Sequence, residues 1–296
     1  MEAEEEELRS RRQPLLADIM NNREVQEQPS ASPAIISSMQ QELISLLRKL
    51  VGETLACFMV VFTIMAVKIN TYALESDGAA SLLALSVAGG MATMVTIFTL
   101  GHVSGSHINP AVTVAYTLIK HFPLQLAPLY ICAQLTGGIV ASLVLEVVFK
   151  PQWPIVMVTR KGTALQAVAA ESIAGFLLLF VCASVATDTR AIGQFAGLAI
   201  SATVALDIII VGPISGGGIN PARALGPALV SWNFTDLWIY MVGPTVGGIF
   251  GALMYWLLRP EGVKKQGVHK EINIRAVAKG FSFRHSESRN RSSSTM

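Results

Sequence analysis

The stretch SGSHINPAVTVAYTLI covers residues 104–119, and a close copy, SGGGINPARALGPALV, covers residues 215–230. Each copy contains the triplet Asn-Pro-Ala, and the two asparagines, Asn109 and Asn220, lie 111 residues apart. Both stretches are apolar but shorter than the ~20 residues that a helix needs to cross the hydrocarbon core of a bilayer. The chain therefore repeats a short apolar unit, and its composition indicates where that unit lies.

The composition is that of a membrane protein. Hydrophobic residues make up 52% of the chain and charged residues only 14%, whereas soluble domains carry about 25% charged residues. The net charge of +2 arises from an acidic N-terminal and a basic C-terminal region that largely cancel, and we expect no nucleic-acid partner. The three cysteines fall inside apolar runs, which predicts buried packing residues rather than a disulfide framework.

Six apolar runs have the length of a membrane-spanning helix. They lie near residues 49–68, 80–100, 124–149, 165–186, 194–214 and 236–258. An even number of spans places both termini on one side of the membrane. Lys and Arg residues before the first span and after the last predict that this side is cytoplasmic, although the loop at 150–164 also carries basic residues.

The chain is predicted to contain one membrane domain between two tails. Residues 1–45 and most of residues 259–296 have too little apolar content to pack and are expected to be disordered. The membrane domain covers residues 46–258, with one repeat at about 46–149 and a second at about 165–258.

The repeat extends beyond the two short segments. VGETLACFMVVF (residues 51–62) and AAESIAGFLLLF (residues 169–180) each place a glutamate, Glu53 or Glu171, early in a span. Each half then contains three spans, and because three is odd the second half enters the membrane from the opposite side. The sequence thus predicts an all-α membrane protein with six transmembrane helices, two re-entrant half-helices and an inverted repeat.

The two triplets predict the starts of the half-helices. Asn is a strong N-cap and Pro suits the first helical position, which assigns Asn109-Pro110-Ala111 and Asn220-Pro221-Ala222 to these starts. Each helix start carries a partial positive charge. Two such ends that meet at mid-membrane would admit neutral molecules with lone pairs and repel cations and protons.

The residues before each triplet are expected to have irregular backbone that lines a watery cavity. Their carbonyl groups would form a series of hydrogen-bond acceptors along the pore, and the two glutamates would accept hydrogen bonds from loop N–H groups. The predicted pore carbonyls belong to Gly105, Ser106, His107, Gly216 and Gly218.

These motifs resemble the major intrinsic protein (aquaporin) family. The resemblance rests on GHVSGSHINPAVT, GPISGGGINPARALGPA, the paired glutamates and DLWIYMVGP, while ATDTRAIGQFAGLAI and KHFP are similar to the plant nodulin-like intrinsic protein branch. It covers roughly residues 45–260. It implies an hourglass of six helices and two half-helices, assembled as a homotetramer with one pore per subunit in the plasma membrane.

The resemblance also implies a narrow outer filter of four residues. The matching positions are Gly89, Ile208, Gly217 and Arg223. Arg223 is conspicuous in its own right, because no other Lys or Arg lies between Arg190 and Arg259 and a buried cation needs water or partners. We expect it to face the pore; a structural ion pair is the alternative.

The filter composition bears on the permeant. Strict water channels of the family have an aromatic residue and a histidine at the first two positions, where this chain has Gly89 and Ile208. Members with Ala-Ile-Gly-Arg filters are associated with boric acid and those with Gly-Ser-Gly-Arg filters with silicic acid. The resemblance implies a passive channel for boric acid, arsenous acid, glycerol or urea, with silicic acid as a further candidate and water as a co-permeant.

Two other functions stay open at this point. One is a channel mainly for water, and the other is an ion-coupled secondary transporter, which would need Glu53 and Glu171 in a proton relay. We expect no enzymatic activity, because no Ser/His or paired-Asp arrangement is present. No metal or other cofactor is expected.

Three further features carry hypotheses. Asp207 lies beside Ile208, where the branch usually has an uncharged residue, and either contacts backbone donors or tunes Arg223 and the pH response. His107 is expected to have a fixed hydrogen-bonding role. Ser282, three residues after Lys279, is the candidate phosphorylation site for a protein kinase in the C-terminal tail.

Overall fold

A computed structural model describes residues 33–75 and 78–260. Residues 45–260 belong to one compact unit, and residues 33–44 belong to another, of which this stretch alone is described. The predicted phosphorylation site Ser282 lies outside the described residues. The candidate site lies within the unit that begins at Ser45.

Six helices of the described chain are long and apolar enough to cross a membrane, which confirms the predicted number of spans. They are α1 (Pro33–Ala73), α2 (Gly78–Ser104), α4 (Ala127–Phe149), α6 (Ala164–Thr187), α7 (Ala196–Ser215) and α9 (Leu237–Leu258). Three shorter helices lie between them, namely α3 (Pro110–Leu118), α5 (Trp153–Val156) and α8 (Pro221–Ser231). A single 3-10 turn, Gly193–Phe195, precedes α7.

The first helix is longer than predicted. Residues 33–45, which the sequence predicts to be disordered, form its first turns. The helical period favours this extension, because Met39, Leu43, Leu46 and Leu50 recur at intervals of three and four residues and continue an apolar face back from the first span.

The two halves have the same order of elements. Two spans, a half-helix and a third span make up each half, with α3 in the first and α8 in the second. Because each half has three spans, the two halves are inverted relative to each other. This arrangement confirms the predicted fold class.

Glycines allow close helix packing at matching positions of the two halves. A side chain at Gly137 of α4 would overlap the backbone of α1 at Thr54, and one at Gly247 of α9 would overlap the backbone of α6 at Ser172. The two glycines lie 110 residues apart, close to the spacing of the triplets. Membrane helices associate through such small residues. The crossing that stabilises each half is therefore repeated.

Candidate functional site

Each half-helix begins at an asparagine that caps it. Oδ1 of Asn109 accepts a hydrogen bond from the backbone N–H of Ala111 at 2.9 Å, and Asn220 accepts one from Ala222 at 2.9 Å. Both asparagines have extended backbone, and a proline follows each in the first turn. Asn, Pro and Ala thus have the same local structure in both halves, as the cap and Pro preferences predict.

The two half-helix starts meet, and their asparagines are hydrogen-bonded across the repeat. Nδ2 of Asn109 donates to the carbonyl oxygen of Ile219 at 3.0 Å, and Nδ2 of Asn220 donates to that of Ile108 at 3.1 Å. Each amide nitrogen has a second hydrogen. One N–H of each asparagine is therefore used between the halves, and the other is left to serve a permeant.

The two isoleucines that accept these bonds have unusual backbone. Ile108 has φ 63° and Ile219 has φ 58°, a region that β-branched residues rarely adopt. The strain is tolerated because the surrounding contacts fix both positions. It turns the carbonyl of each isoleucine toward the asparagine of the opposite half.

Two buried glutamates hold the re-entrant loops. Glu53 accepts the backbone N–H groups of His107 and Ile108, both at 3.0 Å. Glu171 accepts those of Gly218 at 2.8 Å and Ile219 at 2.6 Å. Both glutamates are fully buried, so these N–H groups supply much of the stabilisation that the carboxylates lose with water. This bidentate use of both carboxylates leaves them unsuited to a proton relay.

A second matched set of residues was not predicted. Ser104 and Ser215 each accept a backbone N–H two residues later, at 3.0 and 3.1 Å. Tyr130 donates to the carbonyl of Ser104 at 2.8 Å, and Tyr240 donates to that of Ser215 at 2.7 Å. The serines are the first residues of the two repeated stretches and have the same spacing as the two asparagines. This repetition in the sequence could have indicated that both serines have a matched role.

Further polar side chains support the first loop. Gln134 donates to Glu53 at 2.8 Å and to Thr113 at 3.0 Å. Nδ1 of His107 lies 3.1 Å from the hydroxyl of Thr113. The His107 ring also packs against three aromatic rings, those of Tyr116, Phe122 and Tyr130. This histidine is held in place, in keeping with a fixed hydrogen-bonding role.

A cavity of about 570 Å³ leads to the paired asparagines. It is lined among others by His102 near the end of α2, His121 after α3, and Gly193 and Gln194 before α7. Four of the five predicted pore-carbonyl residues line it, namely Gly105, Ser106, His107 and Gly218. The fifth, Gly216, does not, because it lies against Thr159.

The four predicted filter residues lie together. A Cβ atom at Gly89 would overlap Cδ1 of Ile208, so the isoleucine occupies the space beside the glycine. A Cβ atom at Gly217 would lie 3.6 Å from Cα of Ile208. Arg223 donates from Nη1 to the carbonyl oxygens of Gly217 and Gly218. Ile208 and Arg223 line the cavity.

Arg223 is buried but incompletely paired. It is 5% exposed, and its Nε has no hydrogen-bond partner within residues 33–75 and 78–260. Glu171 lies within electrostatic range and offsets part of the positive charge. The described ion pairs do not include Arg223. Because Arg223 lines the cavity, its positive charge acts on molecules there.

Asp207 lacks one of the two environments proposed from the sequence. It is fully buried, and neither carboxyl oxygen has a hydrogen-bond partner in the described chain, so the expected backbone donors are absent there. Glu171 acts electrostatically on the Asp207 carboxyl. A role of Asp207 in tuning Arg223 or the pH response stays a prediction.

An ionic cluster lies where α6 and α9 end. Asp188 accepts hydrogen bonds from the Arg190 guanidinium at 2.7 and 3.0 Å and from the Tyr255 hydroxyl at 2.9 Å. Arg259 lies 3.9 Å from the same carboxylate. The hydrogen bonds from Arg190 hold the pKa of Asp188 well below its usual range, and those from Tyr255 add to this effect. The cluster fastens the loop that carries Gly193 to the end of α9.

Comparisons with known proteins agree with this geometry. The profile of the Major intrinsic protein family matches residues 40–255. Aquaporin NIP2-1 of Oryza sativa subsp. japonica is 44% identical over 77% of this chain and 76% of its own length. Aquaporin NIP6-1 of Arabidopsis thaliana is 38% identical over 77% of this chain and 74% of its own.

A solved structure is also similar. The X-ray structure of the aquaglyceroporin from Plasmodium falciparum superposes with a TM-score of 0.62 and 26% identity, over 71% of this chain and 95% of that one. Together, the paired half-helices, the matching profile and these relatives show that the chain belongs to the major intrinsic protein family of passive membrane channels.

Proposed function

We propose that this channel conducts small uncharged solutes with several hydroxyl or amide groups, namely boric acid, arsenous acid, glycerol and urea, and that it also conducts some water. Silicic acid is a further candidate. Ions and protons are excluded. One observation carries the proposal: the side chains at the predicted filter that reach the cavity are an isoleucine, Ile208, and a partly unpaired arginine, Arg223.

The chemistry of these residues suits a neutral, hydroxylated solute. The guanidinium of Arg223, a residue that lines the cavity, and the second N–H groups of Asn109 and Asn220 can donate to solute oxygens. Ile208 presents apolar surface to the carbon or boron framework and offers no ligand to a hydrated ion. Helix starts with partial positive charge add to the barrier against cations.

The relatives' names favour the same class of function. One solved structure bears the name aquaglyceroporin, which supports glycerol as a permeant of this chain. Several relatives bear the name aquaporin, which supports water. Which solute passes fastest is part of the proposal to be tested.

A channel mainly for water is the second candidate, and one contact favours it. Because Cδ1 of Ile208 lies in the space beside Gly89, the aperture is narrower than two glycines alone would leave. An ion-coupled transporter lacks such support, since both buried glutamates are engaged by loop N–H groups.

We also propose the assembly and location of the protein. It forms a homotetramer with one pore per subunit in the plasma membrane, with residues 1–45 and 259–296 in the cytoplasm. The channel domain covers residues 46–258, and a protein kinase acts on Ser282. The exposed apolar side chains on the membrane-spanning helices leave surface for lipid and for neighbouring subunits.

The test is a permeability panel in vesicles that contain the purified protein. Shrinkage or swelling is followed for water, glycerol, urea and boric, silicic and arsenous acids, with protein-free vesicles as the blank. Solute flux that rises linearly with the gradient and resists ionophores is expected. Water flux without any solute flux would favour the water channel, and saturable, proton-dependent flux would favour the transporter.

A further inference from the structure

Lys68 makes an unusual contact near the end of α1. Its Nζ donates a hydrogen bond at 2.7 Å to the carbonyl oxygen of Met157, which lies 89 residues later. Lys68 is partly buried, although it belongs to a helix that is long and apolar enough to cross a membrane. Intramembrane lysines are costly and tend to mark functional sites.

The segment that Lys68 contacts is itself packed against the second re-entrant loop and its half-helix. Val156 and Val158 are buried on either side of Met157. Val156 belongs to a cluster with Ala222, and Val158 to a cluster with Ala224, both on α8. The amine of Lys68 therefore donates to a backbone segment that packs against the first turns of α8.

Backbone contacts continue from this segment to the filter loop. A Cβ atom at Gly216 would lie 2.7 Å from the carbonyl oxygen of Thr159. The N–H groups of Lys161 and Gly162 donate to the carbonyl of Ile214 at 2.9 and 3.0 Å. Gly217, whose carbonyl accepts from Arg223, comes directly after this contact. A displacement at Met157 would thus be transmitted to the partner of Arg223.

We propose that Lys68 is a further specificity-determining residue of this channel. Its amine holds the 156–162 segment against the filter loop through the hydrogen bond to Met157. The proposal deepens the proposed function and rests on it, since it adds a positioning residue outside the cavity lining to those that set the filter.

Two substitutions test this role. Lys68→Arg keeps a donor for the carbonyl oxygen of Met157, whereas Lys68→Met keeps a long side chain but has no donor. Full-length parent and variants are reconstituted in vesicles, and each is checked for folding by its melting temperature in detergent. Two quantities are then measured per pore, the ratio of glycerol to urea permeability and the water permeability.

Lys68→Arg is expected to match the parent in both quantities. Lys68→Met should change the permeability ratio about threefold, in line with the net contribution of one hydrogen bond, because the 156–162 segment is no longer held against the filter loop. The water permeability should change in the same variant, since water passes the same filter.

A parent-like permeability ratio together with a parent-like water permeability in folded Lys68→Met would refute the positioning role. If even the parent passes no glycerol or urea, the proposed solutes are wrong, yet the water permeability of Lys68→Met relative to the parent still decides the role of Lys68.

Discussion

Asn109 and Asn220 each donate a hydrogen bond to the backbone directly before the other asparagine, in the opposite half of the chain. The acceptors are the carbonyl oxygens of Ile219 and Ile108, at 3.0 and 3.1 Å. Each asparagine also caps its own half-helix through Oδ1. The side-chain amide of each asparagine therefore holds both a helix start and a contact between the repeats. The position of the pore centre therefore depends on both halves at once.

The crossed bond can be tested with Asn109→Asp. The aspartate can still cap the half-helix, but it cannot donate to Ile219 and brings a negative charge against that carbonyl. We expect a loss of roughly 1–3 kcal/mol in stability and a clear fall in solute flux. Thermal denaturation and vesicle swelling measure these effects. Asn70→Asp, at an exposed position of α1, is the control, and equal melting of both variants would contradict the prediction.

The proposed filter can be narrowed with Gly89→Trp. Ile208 already fills the space beside this glycine, so an indole ring would project into the path. We expect glycerol and the larger acids to lose at least tenfold in permeability and water to lose less. The matched control is Gly78→Trp, because nothing lies within 4 Å of a Cβ atom at that position of the same helix. Loss of all permeants in equal proportion would count against the filter assignment.

Support of the second loop can be tested with Glu171→Gln. The carboxylate accepts two backbone N–H groups and the hydroxyl of Ser215, and an amide would turn a donor toward at least one of them. We expect the free energy of unfolding to fall by about 2–4 kcal/mol. Solute flux should also fall, because Arg223 loses a nearby negative charge. The control is Glu146→Gln, which affects one exposed hydrogen bond from Trp153. Its melting temperature should equal that of the parent.

Asp207→Asn tests whether the buried carboxyl confers a pH response. With no partner for either oxygen, the group is far more stable as the neutral acid than as an ion. Raising the pH should eventually ionise it and place a second negative charge beside Glu171. We expect flux through the parent to change at alkaline pH and flux through Asp207→Asn to stay flat. Identical pH profiles would remove this role.

Acid stability should depend on Asp188. Its pKa is held down in the folded protein by Arg190, and an unfolded aspartate titrates near pH 4. The contribution to stability is therefore complete above about pH 4 and is lost as the pH falls toward the lower folded pKa. Asp188→Asn should melt at a lower temperature than the parent at pH 7, and the gap should narrow in strong acid. A constant gap between pH 7 and pH 3 would contradict this.

The sequence predicts the fold because its main determinants are local and repeated. Apolar run lengths give the six spans, and Asn-Pro in each repeat gives the half-helix starts. Features that depend on tertiary partners are harder to predict. The bonds of Tyr130 and Tyr240 to the serine carbonyls need helices that meet only in the folded chain.

Two polar residues illustrate the same difficulty at the site. The sequence does not indicate that Lys68 donates to Met157, because the two residues are 89 positions apart and belong to different elements. From the sequence, Asp207 could accept hydrogen bonds from backbone donors. In the structure it lies on a helix whose N–H groups are already used within the helix. Local pattern cannot reveal either environment.

The contact between Ile208 and Gly89 has a consequence for how sharply this channel can sort molecules by size. Loop backbone bounds one side of the passage, whereas the opposite side ends in the terminal methyl group of a single aliphatic residue. The side chain of Ile208 can yield by small changes of its χ angles, which cost about 0.5–1.5 kcal/mol for a deviation of ~30°, so the width that it leaves is not fixed. Molecules of increasing bulk should accordingly be slowed by degrees and not stopped at one threshold.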